Sequence, residues 1–572
     1  MPDVARNKEL LALGEEFFEI QNTADPLSTS LLGIQGFDGL LPDLSREGTE
    51  RVIALLKNLE GRVAGLANAS LNDADQIDAA VLARLAWGLR TDLEQGTWAA
   101  SASSEGYASP PAMVFMCVPS VTIDSKVAQD DYLTRLSGLA NYFDEIIVRY
   151  AHAQSEGRPS TRAGLTRSID QLRAHLELSI DEDLLANPTL GDSVDRASFL
   201  ATSHELVRTS VRPAIARLVA YMEGEMTGAA RDDDHVGIMH VTNGDASYRQ
   251  AVRRQTTTEL TPEQIHQIGL DCIASLQVEF AQLGERVLGE RDVPTILARL
   301  REDRSLRFAN SSEIVKVAQD SLDRAEAARD EWFPPYRIAP CIIEEVHPIE
   351  ARNAALAHYR PPTGDGGRPG AHCILTLSPE ERFRYEYEAL SFHESSPGHH
   401  LQIATAQTLT DLPTYRRFLD TQVCAFCEGW GLYSERLADE MGLYSSDLAR
   451  LGMLSFDALR ACRLVVDTGM HHLGWSRQQA IDYMWANTAT TAANVANEID
   501  RYIGWPGQAL AYMIGRREIV RLRALASERL GDNFDVRDFH GTVLGNGAVP
   551  LDVLELLVTR WIDQQLSNAS PA

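Results

Sequence analysis

The sequence contains no apolar run of the ~18 or more residues needed to cross a bilayer. The longest candidate, residues 451–466, is interrupted by Asp457, Arg460 and Arg463. The N-terminal residues also lack the apolar stretch of a secretory signal. These absences predict that the protein has no membrane partner, and we expect it in the cytoplasm.

Basic residues are scarce relative to acidic ones. The 572-residue chain has 53 Lys and Arg against 81 Asp and Glu, which gives a formal charge of −28, and no Lys/Arg-rich run interrupts it. Such a surface repels a phosphate backbone, so a nucleic-acid partner is excluded. Cysteine is also sparse. Seven cysteines, an odd number in a chain without a secretory signal, favour reduced thiols over a disulfide framework.

Helical periodicity dominates what is present. Apolar residues recur at three- and four-residue intervals through residues 10–20, 52–66, 77–93 and 132–151. Thr261, Pro262 and Gln264 form a helix start with a capping box, which predicts a helix through residues 265–287. We also predict a helix over residues 312–332.

Strand signals are few and lie together. Residues 339–346 and 371–377 are strand candidates separated by a turn-rich loop. We therefore predict a mostly α fold with a small β-sheet beside the helix that carries the motif described next. A polar loop near residues 229–245 suggests a boundary between an N-terminal helical region, 1–240, and a second region, 241–572, within one continuous fold.

The chemistry is concentrated in residues 390–402, where His393, Glu394, His399 and His400 lie within eight residues. Zinc prefers imidazole nitrogen and carboxylate oxygen, and a catalytic site uses three protein ligands plus water. A glutamate next to a ligand histidine can take the proton from that water. We therefore predict His393 as a metal ligand and Glu394 as a general base.

The second histidine ligand is left open by helix geometry. In the ordinary H-E-x-x-H motif it lies one turn on, and that position is Pro397 here. A straight helix favours His400, seven residues after His393. Pro397 should bend or bulge the helix, and a bulge can turn His399 toward the metal instead.

A third ligand is expected on the next helix. Glu428 and Glu435 are seven residues apart and share one helical face. Phe426, Trp430 and Leu432 surround Glu428, and a carboxylate buried among apolar side chains needs a metal or another cation. We predict Glu428 as the ligand and Glu435 as a supporting or structural residue.

Two further segments supply candidate catalytic residues. His471, after Asp467 and Gly469, could donate to the oxyanion of a tetrahedral intermediate. Pro506 and Gly507 suggest a kink that turns Gln508 and Tyr512 toward a cleft.

These elements resemble a bacterial family of unknown function known as domain of unknown function 885. Its pattern reads His-Glu-x-x-Pro-Gly-His-His-x-Gln, then Glu-Gly-Trp-x-x-Tyr, then Asp-x-Gly-x-His, then Arg-Tyr-x-x-x-Pro-Gly-Gln-Ala. All four elements stand here in that order, starting at His393, Glu428, Asp467 and Arg501. The likeness covers most of the chain from about residue 130.

The resemblance implies more than the residues show by themselves. The family is distantly similar to helical zinc carboxypeptidases and oligopeptidases, which implies a large metallopeptidase-like fold with a deep central cleft. Aligning Gly398-His399-His400-Leu401 on their Gly-His-Ala-Leu makes His399 the second ligand. Glu394 would then be the general base, with His471 and Tyr512 as oxyanion donors.

One departure from the family concerns the substrate. A lysine is expected after Tyr512, but Met513 stands there. Arg501 could replace it in holding a substrate carboxylate, and Tyr502 and Gln508 would complete the substrate-binding set.

The expected function is zinc-dependent hydrolysis, with one zinc per chain, of an amide bond in a short peptide or peptide-like molecule. The alternatives are a metal-dependent lyase or small-molecule amidohydrolase of a biosynthetic pathway, and a non-catalytic helical binding protein. The presence of Glu394 argues against the binding protein, because an inactive relative commonly loses its base.

Overall fold

The computed structural model describes residues 6–67, 71–96, 101–346, 356–363, 368–419 and 422–569. Within these ranges the chain is mostly helical, with one sheet of three short strands. None of the described helices is long and apolar enough to cross a membrane.

The described α-helices follow one another along the chain with the strands inserted after the thirteenth. The first thirteen are α1 (Lys8–Ala24), α2 (Pro26–Leu31), α3 (Arg46–Ala67), α4 (Asp73–Gln95), α5 (Pro110–Cys117), α6 (Lys126–Ser155), α7 (Arg162–Glu177), α8 (Arg196–Leu206), α9 (Arg212–Tyr221), α10 (Gly244–Thr256), α11 (Pro262–Leu288), α12 (Val293–Glu302) and α13 (Ser311–Trp332). The strands β1 (Cys341–Glu345), β2 (Ala357–Arg360) and β3 (Gly370–Ile374) come next. They are followed by α14 (Tyr387–Glu394), α15 (His399–Thr408), α16 (Cys424–Glu440), α17 (Asp447–His471), α18 (Arg477–Asn487), α19 (Ala492–Gly504), α20 (Ala511–Leu530), α21 (Val536–Leu544) and α22 (Leu551–Ala569).

The chain forms two compact units. The first comprises Met1–Gln250 with two later segments, Met470–Gln478 and Asn497–Pro506. The second comprises Ala251–Gly469, Gln479–Ala496 and Gly507–Ala572. The two later segments of the first unit lie within residues 241–572, which the sequence analysis assigned to the second region. They do so because the chain returns to the first unit after the main part of that unit, Met1–Gln250, is complete.

The first unit has an apolar core built mainly by α6, α7 and α9. Phe143, Leu165 and Ile215 are fully or almost fully buried in it, along with many other aliphatic side chains. Burial of apolar surface on this scale is the main stabilising term in folding.

The second unit is organised around α16 and α17. Every residue from 451 to 469 of α17 is buried, as expected for a helix enclosed on all sides. This is the segment whose charged residues ruled out a membrane span, and Asp457 pairs there with Arg436 and Arg516.

The sheet lies in the second unit with strand order β1-β3-β2. The central strand β3 is parallel to β1 and antiparallel to β2. One face of β3 contributes Ala371 and Cys373 to an apolar cluster with Val346 and Leu375.

Helices α16 and α20 approach each other closely at two glycines. A Cβ atom built on Gly515 would lie 1.8 Å from the carbonyl oxygen of Ala425, and one built on Gly429 would lie 2.5 Å from the carbonyl carbon of Gly515. Both positions therefore need glycine for the helices to pack at this distance.

Most of the helix predictions are confirmed. The predicted helical segments fall within α1, α3, α4, α6, α11 and α13, and Thr261 and Gln264 form both bonds of the capping box. Strands β1 and β3 are also confirmed, but β2 was missed. The mostly helical class is confirmed, whereas the deep cleft and the metallopeptidase-like fold stay predictions.

The close packing of α16 on α20 yields a stability prediction. In Gly515→Ala the added methyl group meets backbone that cannot move aside alone, so the variant should lose ~1–3 kcal/mol or more. The gain of ~1 kcal/mol in helix propensity is smaller than this cost. We expect a lower thermal unfolding midpoint and a lower urea midpoint.

Gly61 of α3 is the matched control, because no atom lies within 4 Å of a Cβ built there. Gly61→Ala should leave the midpoint unchanged or raise it. Equal stability of the two variants would show that α16 and α20 can separate without cost.

Candidate metal centre

The motif helix is interrupted at Pro397. Helix α14 ends at Glu394 and α15 begins at His399. The Pro397 carbonyl accepts a hydrogen bond of 2.9 Å from the indole Nε1 of Trp430 on α16. We expected a bend or bulge in one helix; because proline lacks an N–H, the structure instead has two helices joined by a short segment.

The interruption brings His393 and His399 to the same carboxylate. Nε2 of His393 lies 3.5 Å from Oε2 of Glu428, and Nε2 of His399 lies 3.4 Å from that oxygen. The two imidazole rings are nearly perpendicular, with centroids 4.6 Å apart. One ligand atom from each of the three residues lies within 4.8 Å of the others, so together they could hold a metal ion.

Helix α16 holds both carboxylates that contact His393. The Nδ1 atom of His393 donates a hydrogen bond of 2.9 Å to Oε1 of Glu435. The Nε2 atom of the same ring is therefore directed at Glu428. A Cβ built on Gly431, between these two glutamates, would lie 2.7 Å from Cε1 of His393. Glycine at this position therefore leaves the space that the imidazole occupies.

The cluster is buried and strongly polarised. Burial alone would lower the pKa of the His393 imidazole, but its hydrogen bonds to Glu428 and Glu435 raise that pKa to about 9. Burial likewise favours the neutral form of Glu428, yet His393 and His399 outweigh it and hold the pKa of this carboxyl group well below its usual value. The site thus favours a carboxylate facing positive charge.

His400, the alternative ligand, lies outside the cluster. Its Nδ1 and the hydroxyl group of Tyr359 are 3.0 Å apart, and the backbone of Ala339 is a second hydrogen-bond partner. Burial lowers the pKa of His400 to about 4. The structure therefore brings His399, rather than His400, together with His393 and Glu428.

Glu394 and Tyr512 lie beside the cluster. Glu394 directly follows His393 at the end of α14 and is 8% exposed. The Tyr512 ring stacks on the His393 ring with centroids 6.4 Å apart and an interplanar angle of 19°. The guanidinium carbon of Arg463 lies 4.2 Å from the centroid of the Tyr512 ring.

His471 has a different environment and belongs to the first compact unit. Its Nδ1 accepts a hydrogen bond of 3.0 Å from the backbone N–H of Ile238, and its Nε2 donates to the Tyr502 carbonyl at 3.0 Å. Burial lowers its pKa to about 4. Both ring nitrogens of His471 thus contact backbone groups, and its role as an oxyanion donor stays a prediction.

The predicted substrate-binding residues are divided between the units. Arg501 and Tyr502 lie in the first unit, where both contact Glu498, and Gln508 lies in the second. The side-chain amide of Gln508 donates to Sγ of Cys424 at 3.4 Å. Their roles toward a substrate stay predictions.

Sequence reasoning missed one buried polar residue of the sheet. His372 lies on β3 and is fully buried, and this burial lowers the pKa of its imidazole to about 4. The available signal was a histidine within the mostly apolar strand candidate 371–377.

Two solved structures of other proteins superpose on nearly the whole chain. A crystal structure of a protein from Colwellia psychrerythraea, described as a "putative lipoprotein", superposes with a TM-score of 0.89 at 27% identity and covers 97% of this chain and 99% of that one. A structure from Shewanella oneidensis, described as a "putative lipoprotein of unknown function", has a TM-score of 0.73 at 17% identity, with coverage of 96% and 99%. No curated protein matches the sequence.

The family model for bacterial proteins of unknown function, DUF885, matches residues 26–558. This match includes His393, His399 and Glu428 and both compact units over nearly their whole length. The chain therefore belongs to the DUF885 family.

Proposed function

We propose that the protein is a zinc-dependent hydrolase that cleaves an amide bond in a short peptide or peptide-like molecule. The observation that carries the proposal is the convergence of His393, His399 and Glu428 beside Glu394. Two imidazoles and one carboxylate next to a further glutamate are a ligand set and a base typical of zinc hydrolases.

The two nitrogen–oxygen separations in the cluster fit zinc. Bonds of ~2.0–2.2 Å at tetrahedral angles put two ligand atoms ~3.4 Å apart. The two nitrogen–oxygen distances in the cluster are 3.5 and 3.4 Å. Glu435 accepts from His393 as the outer carboxylate does in carboxylate–histidine–zinc arrangements. When bound, zinc would polarise a substrate carbonyl group and make a water molecule more acidic.

The residues of the chain would then perform proton transfer and charge stabilisation. Glu394 takes a proton from the attacking water as the new C–O bond forms. The same carboxyl group returns that proton to the amide nitrogen as the C–N bond breaks, leaving an acid and an amine. The hydroxyl group of Tyr512 donates a hydrogen bond to the oxygen that carries negative charge between the two steps.

One feature favours a second reaction at the same site. Met513 stands where the family pattern has a lysine, and its side chain is buried. In the family this lysine would bind a substrate carboxylate. A substrate that lacks this carboxylate is consistent with a metal-dependent lyase or small-molecule amidohydrolase. The cytoplasmic location also stays a prediction.

The function is tested by incubating zinc-loaded protein with a mixed-peptide library and identifying products by mass spectrometry. The Glu394→Gln variant serves as the inactive control. Cleavage products formed by the wild type alone would support the hydrolase, and an unchanged library in both samples would contradict it for peptides.

The metal prediction separates the two adjacent histidines. Purified wild-type protein should contain about one zinc per chain. His399→Ala should lose most of the metal, because it removes one of three ligands. In His400→Ala the metal should stay, although loss of the Tyr359 contact lowers the unfolding midpoint. Metal analysis by mass spectrometry measures both, and the reverse ranking would make His400 the ligand.

Glu394→Gln tests catalysis separately from metal binding. The amide keeps the shape of the side chain but cannot accept a proton, so zinc should remain while turnover falls by ~10²–10⁴-fold or more. Glu440, an exposed glutamate of α16, provides the control Glu440→Gln, which should retain full activity. An unchanged rate in Glu394→Gln would favour another chemistry.

Tyr512→Phe removes one hydrogen-bond donor near the reacting oxygen. We expect kcat to fall by ~10²–10³-fold with little change in KM. Tyr433, whose hydroxyl group contacts His540, provides the control Tyr433→Phe with wild-type kcat. A change in KM alone would make Tyr512 a residue that binds the ground state of the substrate.

A further inference from the structure

Arg463 is a buried cation of α17 that the proposed mechanism leaves without a role. The residue is 6% exposed. Taking a guanidinium group out of water costs free energy, so a buried arginine needs compensating contacts. The guanidinium carbon of Arg463 lies 4.2 Å from the centroid of the Tyr512 ring on α20. At this distance the electron-rich face of the ring attracts the cation.

This contact between cation and ring belongs to a longer antiparallel pairing of α17 with the segment that leads into α20 and forms it. Near the C-terminal end of α17, both carboxylate oxygens of Asp467 accept the backbone N–H of Gly507, at 3.1 and 3.2 Å. Nearer the middle of α17, Asp457 pairs with Arg516. The cation and the ring lie between these two contacts in both segments. The flanking contacts therefore fix the register at which the guanidinium group meets the ring.

The Tyr512 ring links Arg463 to the first predicted metal ligand. It stacks on the His393 ring with centroids 6.4 Å apart and an interplanar angle of 19°. Tyr512 is only partly buried, so it keeps accessible surface with which to touch a substrate. Arg463 is almost fully buried and would act on a substrate through Tyr512.

The charge of Arg463 suits a hydrogen-bond donor that faces developing negative charge. A cation on the face of a phenol ring draws electron density from the ring, which strengthens the O–H group as a donor. Solvent screens this charge little, because the guanidinium group is buried. An uncharged side chain of similar length could pack against the ring but would lack this electrostatic effect.

We propose that Arg463 is a positioning residue for the Tyr512 hydroxyl group. Its guanidinium group holds the phenol ring beside His393 and strengthens the hydrogen bond that the hydroxyl group donates to the oxyanion. The assignment rests on the proposed function, because it assumes that an oxyanion forms next to Tyr512.

The test is a double-mutant cycle of Arg463→Met and Tyr512→Phe in the zinc-loaded protein. Methionine keeps a long unbranched side chain and lacks the charge, and Arg463→Gln repeats the test with a neutral polar side chain. The probe is a phosphinic peptide, whose tetrahedral anion imitates the reacting carbon and its charged oxygen. Binding is measured by calorimetry, with zinc content and thermal midpoint recorded for every variant.

We expect Arg463→Met to bind the phosphinic peptide ~10-fold more weakly than the wild type, the size typical of a buried contact between a cation and a ring. In the Tyr512→Phe background the same substitution should change the affinity by less than ~2-fold, because no hydroxyl group remains to be strengthened. Arg463→Lys keeps the charge and should recover part of the affinity. Zinc content should be unchanged in every variant.

The control is Arg301→Met. The guanidinium carbon of Arg301 lies 4.0 Å from the centroid of the Trp485 ring, and these residues belong to α12 and α18, which carry none of the predicted metal ligands or donors. The control variant should bind the phosphinic peptide as the wild type does.

A purely packing role for Arg463 predicts a different result. The phenyl ring of Tyr512→Phe packs as the phenol ring does, so the affinity would then fall equally in both backgrounds. That result, or an unchanged affinity in Arg463→Met, would overturn the assignment of Arg463 alone. A zinc-loaded wild type that binds no phosphinic peptide would overturn the proposed function and this assignment with it.

Discussion

The contact of α16 with the segment between α14 and α15 is the constraint on which the cluster of His393, His399 and Glu428 depends. Helix α16 supplies Glu428 and Glu435, and its Trp430 holds the Pro397 carbonyl at the break. With the break fixed, a histidine six residues after His393 reaches the same carboxylate, which a continuous helix would not allow. The position of both imidazoles therefore follows from one interrupted helix docked on another.

The close approach of α16 and α20 extends this constraint to Tyr512. Gly429 is next to Glu428, and Gly515 lies three residues after Tyr512, one turn further along α20. Because these glycines set the separation of the two helices, the same contact sets the position of the Tyr512 ring relative to His393.

Burying charged groups around His393 requires partners for each of them. Glu428 faces two imidazoles, and Glu435 contacts His393 and lies 3.6 Å from Arg460. Isolated, each carboxylate would pay a large desolvation cost, so the charges are stable only as a group. Without a metal ion, His393 and His399 supply the positive charge that faces Glu428. A metal ion bound to Glu428 would replace that charge.

The sequence predicted local features better than long-range ones. The capping box at Thr261 and the ligand candidates His393 and Glu428 follow from side-chain chemistry and spacing within short segments. The choice of His399 over His400 came from the family resemblance, because spacing alone left it open. Strand β2 was missed because its four residues carry little periodicity and owe their conformation to pairing with β3. The environment of His471 depends on Ile238, more than two hundred residues away, and no local pattern reports such a contact.

Membership of a family with a shared fold does not identify the reaction, because function resides in the site. A hydrolase and a lyase built on this cluster would use the same metal ligands and the same base. They differ in the atom from which Glu394 takes its proton, a water oxygen in one case and a substrate carbon in the other. A donor to a carbonyl oxygen such as Tyr512 would serve both reactions, since each develops negative charge on that oxygen. The cluster itself would therefore not decide between the two reactions, and under the proposed function that choice would fall to the residues around Met513.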